Sequence, residues 1–257
     1  MVVNPMMRVS VVVPFYNEEE GIPVLQEKLS QLAKQLPPKY ELECVLVDDG
    51  SQDDSERIAQ QCFVGMSGVV YAKHSHNRGL GAAMRTGFNK ATGDVICAID
   101  SDCTYDPLQI LRLLNVLETT GADIATASPY HPEGGVENVI GWRLFLSRGA
   151  SWMYRIVCSS KLYTYTSMMR AYRRAVIRSV PFYSDGFAGV TEILLRASQQ
   201  NYRVVEVPMV LHSRVAGVSK MKVMHSMTMH LHLMLQALTW RLVGVAPYTV
   251  ADPKEIG

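Results

Sequence analysis

The stretch Val95-Ile96-Cys97-Ala98-Ile99-Asp100-Ser101-Asp102 runs five apolar residues straight into two carboxylates separated by one small residue. An apolar run of that length reads as a buried strand. In extended chain, residues i and i+2 point to one side, so Asp100 and Asp102 can converge beyond the strand's carboxyl end. Open α/β sheets place their ligands at that end. Two hard oxygen donors there suit Mg²⁺ or Mn²⁺, an ion able to neutralise a diphosphate. Taken alone, the stretch reads equally well as a turn after a strand, since Asp and Ser are ordinary turn formers.

The flanking sequence breaks the tie. Arg8–Val13 is an apolar strand followed by the loop Pro14-Phe15-Tyr16-Asn17-Glu18. Leu25, Leu29, Leu32 and Leu36 fall at helical spacing within Val24–Leu36. Leu42–Val47 is a second strand ending in Asp48-Asp49-Gly50-Ser51, and Asp54–Gln61 a second helix. A third strand, Val69–Ala72, leads through a glycine-punctuated turn to a helix over 80–91. After the fourth strand, Pro107 starts a helix capped by Asp106, and Ile124–Ser128 is a fifth strand. This alternation predicts a mostly parallel sheet flanked by helices. Three strands then end in polar residues along one sheet edge: Asn17-Glu18, Asp48-Asp49 and Asp100-x-Asp102.

The second half is less regular, with helices expected over Trp142–Val157 and Gly189–Gln199 and strands over Thr166–Tyr172 and Arg203–Pro208. It is also basic. From Arg143 to Lys222 there are 13 Lys and Arg against three acids, Asp185, Glu192 and Glu206. That excess suits an anionic partner, and without an aromatic-rich RNA motif or a basic recognition helix nucleic acid ranks low. Five scattered cysteines without a C-x-x-C suggest neither a disulfide framework nor a zinc site, and hence a reducing cytosol.

The segment Val223–Val243 has the length of a membrane span, but a bilayer core would penalise its His225, His230, His232, Gln236 and Arg241. As a helix it carries a polar stripe of His225, Thr228, His232, Gln236 and Thr239. Met224, Met227, Leu231, Met234, Leu238 and Leu242 form an opposite apolar stripe, expected to pack on the domain or to lie in a membrane interface. The expected organisation is one domain over 1–222, then this amphipathic helix and tail over 223–257.

From Arg8 to Lys222 the chain resembles the family-2 glycosyltransferases of GT-A fold, most closely their dolichol-phosphate (polyprenyl-phosphate) mannosyltransferase branch. The resemblance is carried by Val11-Val12-Val13-Pro14-Phe15-Tyr16-Asn17-Glu18, Val47-Asp48-Asp49-Gly50-Ser51, Asn77-Arg78-Gly79-Leu80-Gly81 and Asp100-Ser101-Asp102. Ser147-Arg148-Gly149-Ala150, Glu206-Val207-Pro208 and Arg214-x-x-Gly217-x-Ser219-Lys220-Met221 follow in order. The resemblance implies a GT-A, Rossmann-like fold. It implies a nucleotide-sugar pocket of Pro14, Tyr16, Glu18, Asp48, Arg78, Asp100, Ser101 and Asp102, with Mg²⁺ or Mn²⁺ on Asp100 and Asp102. Arg143, Ser147, Arg214 and Lys220 would meet an acceptor phosphate, and Asp102, Arg143, Arg214 and Lys220 would carry catalysis. Asp49 would brace the turn that follows it. The implied reaction is inverting transfer of a hexose, mannose from GDP-mannose favoured, to a polyprenyl or dolichyl phosphate. The enzyme would work at the cytosolic membrane face as a peripheral protein, with a membrane-protein partner or a second copy of itself possible.

The chain departs from that branch in three places. Leu-Gln-His-Pro-Pro becomes Cys103-Thr104-Tyr105-Asp106-Pro107, which puts Thr104 where a metal-contacting Gln would stand. Gly-Ser-Arg-Tyr becomes Ala127-Ser128-Pro129-Tyr130, and Gly-Phe-Arg becomes Met168-Met169-Arg170. The alternative within the family is transfer from a UDP- or GDP-sugar to a hydroxyl of a lipid or glycan, with Asp185 or Glu192 as base. Two readings lie outside it: a nucleotide-dependent oxidoreductase using Gly79-Leu80-Gly81, and a binding protein on a degenerate scaffold. Met84 at the third glycine position argues against the first, and the retained carboxylate pair against the second.

Overall fold

A computed structural model describes residues 6–139, 141–158, 162–214 and 223–243. The sheet is built from β1 (Met7–Phe15), β2 (Tyr40–Asp48), β3 (Val69–Lys73), β4 (Val95–Ala98), β5 (Ile124–Ser128), β7 (Arg170–Arg173) and β8 (Val204–Pro208). Their spatial order is β3-β2-β1-β4-β7-β5-β8. Every pairing is parallel except those of β7, which runs antiparallel between β4 and β5. Two short strands, β6 (Gly135–Val136) and β9 (Val210–Leu211), pair separately.

Helices cover both faces because alternate strand residues point to opposite sides. Val9, Val11, Val13, Cys44, Leu46 and Cys97 join one core with α1 (Ile22–Gln35), α2 (Ser55–Cys62) and α4 (Ile110–Thr120). Val12, Val45, Val47, Ile96 and Ala98 join the other. Its partners are α3 (Leu80–Lys90), α5 (Gly141–Val157), α6 (Arg174–Ser179), α7 (Ala188–Gln199) and α8 (Val223–Val243). The entry to α4 is a single tight turn over Pro107–Gln109, where the Asp106 carboxylate accepts from Leu108 N at 2.9 Å. The fold is the α/β architecture expected, a mostly parallel sheet between helices with a C-terminal helix.

The expected strand Thr166–Tyr172 is shorter, shifted and antiparallel. Its first residues instead wrap the guanidinium of Arg170, which is fully buried. That group donates to Thr126 Oγ1, Tyr172 Oη and the carbonyls of Val190, Ser167 and Tyr165. A buried charge demands such partners, and the backbone bends to supply them.

The face α8 buries also differs from expectation. Leu233, Met234, Ala237 and Ser226 are buried, while Met224, Met227, Leu231, Leu238 and Leu242 of the expected packing stripe are exposed. Small Ser226 and Ala237 allow close approach, and the Tyr154 hydroxyl meets His230 Nδ1 at 2.9 Å. Burial holds the His230 imidazole below its usual range. Packing complementarity, not the greatest hydrophobicity, chose the buried face.

Candidate active site

Parallel register brings the strand ends together. Val12 pairs with Ala98 and Phe15 with Asp48, so the segments after β1, β2 and β4 leave the sheet along one edge. A cavity of ≈670 Å³ opens there. Of the residues expected at the nucleotide sugar, Pro14, Tyr16, Glu18, Arg78, Asp100, Ser101 and Asp102 line it.

Each wall is tied down locally. Asn17 takes a left-handed backbone (φ 52°), and its side chain accepts from Gln52 N at 2.8 Å. Glu18 N donates to Ser55 Oγ at 2.7 Å. Asp49 accepts from Arg78 N at 3.0 Å, from Gly79 N at 2.7 Å and pairs with His74 Nδ1 at 2.6 Å. Its carboxylate therefore fixes the turn that carries Arg78. Asp48 lies behind the wall: fully buried, it accepts from Ser51 N at 2.7 Å and from the Tyr71 hydroxyl at 3.2 Å. That is a correction, because Asp48 was expected in the nucleotide-sugar pocket and does not line this cavity; its oxygens serve the turn and Tyr71 instead.

Three carboxylates face one cation. Arg214 Nη2 lies 2.8 Å from Asp102 Oδ2, and Nη1 lies 3.4 Å from Glu18 Oε1. Burial and the neighbouring Asp102 push the Asp100 carboxyl up to about 7, with Glu18 adding to the effect and Arg214 opposing it. This excess of negative charge fits a divalent cation. Among the described residues no three His, Cys, Asp or Glu side chains gather at ligand spacing. Asp100 and Asp102 would thus be the protein's share of the shell, as is usual for Mg²⁺ completed by phosphate and water. Thr104 does not line the cavity; its N–H donates to Asp102 Oδ1 at 3.1 Å, a local turn rather than a third ligand.

A titration follows from this geometry. Metal must displace the proton from Asp100, so Mn²⁺ affinity measured by calorimetry is expected to rise about tenfold per pH unit up to near pH 7 and level off above it. The metal-free fold should lose stability over the same window. A carboxyl whose value rises from 3.8 unfolded to about 7 folded binds its proton more tightly in the folded state, so stability falls as pH climbs between those values.

The far wall comes from Asp185, one of the two candidate bases, and from four residues the sequence did not mark: Gly186 and Phe187, with Ser226 and Met229 of α8. The amides of Gly81 and Ala82 at the start of α3 donate to the Asp185 carbonyl at 2.6 and 3.1 Å. Gly79 has φ +99°, and a Cβ there would lie 2.5 Å from that carbonyl. Gly79-Leu80-Gly81 thus admits a protein loop onto the helix start. A helix amino terminus occupied by a backbone carbonyl is not holding a dinucleotide phosphate.

The other expected acceptor residues are spread out. Ser147 does not line the cavity and shares a hydrogen bond of 2.8 Å with Thr166. Arg143 is on α5, but its side chain and all of Lys220 lie outside the described residues. Glu192, a candidate base, is buried; it accepts from Tyr183 N and Ser184 N and pairs with Arg196 at 2.7 Å. Asp185 lines the cavity and is ion-paired to Arg85.

Comparison with known proteins gives the family. Residues 10–180 match the family described as Glycosyl transferase family 2. The chain belongs to that family and is a glycosyltransferase. It is 32% identical over 226 residues to the polyprenol monophosphomannose synthase of Mycolicibacterium smegmatis, covering 85% of this chain and 83% of that one. It is 33% identical over 218 residues to the dolichol-phosphate mannosyltransferase of Pyrococcus furiosus, covering 84% of this chain and 60% of the Pyrococcus protein. Its fold matches the glucosyl-3-phosphoglycerate synthase of Mycobacterium tuberculosis solved with Mn²⁺, UDP-glucose and phosphoglyceric acid, at a TM-score of 0.69 and 20% identity. That match covers 91% of this chain and 80% of the synthase. Among the described residues no helix is long and apolar enough to cross a membrane.

Proposed function

We propose that the enzyme transfers a hexose from a nucleotide sugar, with a divalent metal, to an acceptor that carries phosphate. The observation that carries this reading is the Glu18, Asp100, Asp102 and Arg214 cluster in one cavity at the sheet edge. A Mg²⁺ or Mn²⁺ ion on Asp100 and Asp102 would supply charge neutralisation of the leaving diphosphate. Arg214, held between Glu18 and Asp102, offers a planar fork for phosphate oxygens. The Asp49-braced turn presents Arg78 to the donor, and the loop 184–187 closes the opposite side. An acceptor oxygen attacks the anomeric carbon from the face opposite the nucleotide. The new C–O bond forms as the bond to the diphosphate breaks, and the nucleoside diphosphate departs.

Two acceptors fit, and they differ in which oxygen attacks. The sequence relatives are named for polyprenyl and dolichyl phosphates, whose ionised phosphate oxygen needs no base. With Glu192 buried in an ion pair, the cavity holds few candidates for one. This supports mannose transfer from GDP-mannose to a lipid phosphate. The second reading is transfer from a UDP-sugar to the hydroxyl of a phosphorylated acceptor. It draws on the fold of the glucosyl-3-phosphoglycerate synthase and on Asp185, the one carboxylate on the acceptor-side wall among the described residues. The structural neighbours lean toward this second reading.

Release of GDP or UDP from a panel of GDP- and UDP-sugars with Mn²⁺ separates them. Release from one GDP-sugar only when a short polyprenyl phosphate is added supports the first. Release from a UDP-sugar with a hydroxylated phosphate ester, lost in Asp185→Asn with donor binding intact, supports the second. No donor binding at all refutes both.

A further inference from the structure

The loop 183–187 on the far wall of the active-site cavity is held through its backbone. Tyr183 N and Ser184 N donate to the Glu192 carboxylate at 3.1 and 2.7 Å, and the Asp185 carbonyl accepts from Gly81 N and Ala82 N. Gly81 and Gly189 let the loop seat, since a Cβ on either would lie within 2.7 Å of the Ser184 carbonyl oxygen. None of these bonds uses the Asp185 side chain, yet that side chain is fixed as well. Arg85 of α3 stacks 5.4 Å from the centroid of Phe182, donates to the Ser184 carbonyl at 3.1 Å and ion-pairs with Asp185 Oδ1. Asp185 Oδ2 has no hydrogen-bond partner among the described residues.

The rest of that wall is Gly186, Phe187, Ser226 and Met229, so Asp185 is its one charged group among the described residues. A carboxylate repels phosphate and accepts hydrogen bonds from hydroxyls, which fits it to an uncharged polyol. Arg85 offsets its charge, so a diphosphate can still enter the same cavity. A carboxylate carried on a clamped backbone also keeps its place closely enough to tell one hydroxyl configuration from another. We propose that Asp185, oriented by Arg85, reads the hydroxyls of the transferred hexose and so sets which sugar epimer the enzyme accepts from the nucleotide. This rests on the nucleotide-sugar pocket proposed above, with the diphosphate at Asp100 and Asp102 and the hexose reaching across the cavity. Arg85 acts through Asp185 and is a positioning residue.

The test is calorimetric titration of the full chain, in Mn²⁺, with two sets of probes. One set is GDP, GDP-mannose and its epimer GDP-glucose; the other is UDP, UDP-glucose and its epimer UDP-galactose. The parent is expected to bind one nucleotide sugar about tenfold or more tightly than its epimer, the margin one charge-assisted hydrogen bond supplies. Asp185→Asn and Asp185→Ala should lose most of that margin while binding the nucleoside diphosphate alone as the parent does. Both should melt at the parent temperature, because the side chain is 62% exposed and the backbone anchors are untouched. Arg85→Gln keeps the carboxylate but frees it, so it too should narrow the margin and spare the nucleoside diphosphate; a merely structural role would weaken both together. Equal affinity for the epimers in the parent, or an unchanged margin in both Asp185 variants, would overturn the proposal and leave the pocket standing. Turnover lost in Asp185→Asn with every affinity unchanged would also overturn it, making Asp185 the base. Binding of neither nucleotide nor nucleotide sugar would overturn the pocket and this inference together.

Discussion

Asp102→Asn is expected to turn over roughly 10²–10³-fold more slowly than the parent, the usual cost of removing one fixed electrostatic element from a reacting centre. The substitution keeps the shape and one oxygen but deletes a charge that a metal would need. It also weakens the anchor of Arg214, 2.8 Å away. The fold should tolerate the change, because it relieves repulsion against Asp100 and Glu18. A second readout ties the loss to this mechanism. Asp102 helps hold Asp100 near 7, so the Mn²⁺ titration of the variant should move its midpoint to lower pH while its affinity ceiling drops. An unaltered steady-state rate would show that Asp102 is not at the reacting centre. A lost rate with an unfolded circular dichroism spectrum would show a structural role instead.

Glu192→Ala carries the largest expected effect on stability. Glu192 and Arg196 are both buried and bonded at 2.7 Å, and Glu192 also satisfies the amides of Tyr183 and Ser184. Removing the carboxylate strands a guanidinium and two N–H groups away from water, which costs about 3–5 kcal/mol. Arg196 also stacks on Tyr183 and on Trp240 of α8, at 5.0 and 4.7 Å. The damage should therefore reach both the loop lining the cavity and the C-terminal helix. Chemical denaturation should show a lower midpoint with an unchanged slope. Were Glu192 a general base, the variant would keep its stability and lose its rate.

Much of this was legible because it depends on local pattern. Apolar runs ending in Asn17-Glu18, Asp48-Asp49 and Asp100-x-Asp102 announce parallel strands whose carboxyl ends share an edge, and parallel register does the rest. Which strand ends line the cavity was legible; the direction of individual side chains was not. Asp48 and Asp49 are neighbours with the same chemistry, yet one serves a buried turn and the other lines the cavity while bracing it. Only the hydrogen bonds of Ser51, Tyr71, Arg78 and Gly79 distinguish them. Gly186, Ser226 and Met229 gave no signal because they meet the site through contacts over a hundred or so residues of chain, which no periodicity encodes. Which face of α8 packs on the domain was not legible for a related reason. Hydropathy ranks Met and Leu first, whereas close packing on α5 and α7 selected Ser226, Leu233 and Ala237.

The antiparallel strand β7 has a consequence for the order in which the protein is made. Strands β3, β2, β1 and β4 can pair as soon as they emerge from the ribosome, but β4 ends at Ala98 and its outer neighbour begins only at Arg170. At about 5–20 residues per second the edge of β4 waits roughly 4–14 s for its partner. During that wait an entirely apolar edge, Val95–Ala98, is open to any other strand. The nascent chain should therefore lean on a holding chaperone over this interval, and slow codons placed between residues 98 and 170 should raise the aggregated fraction.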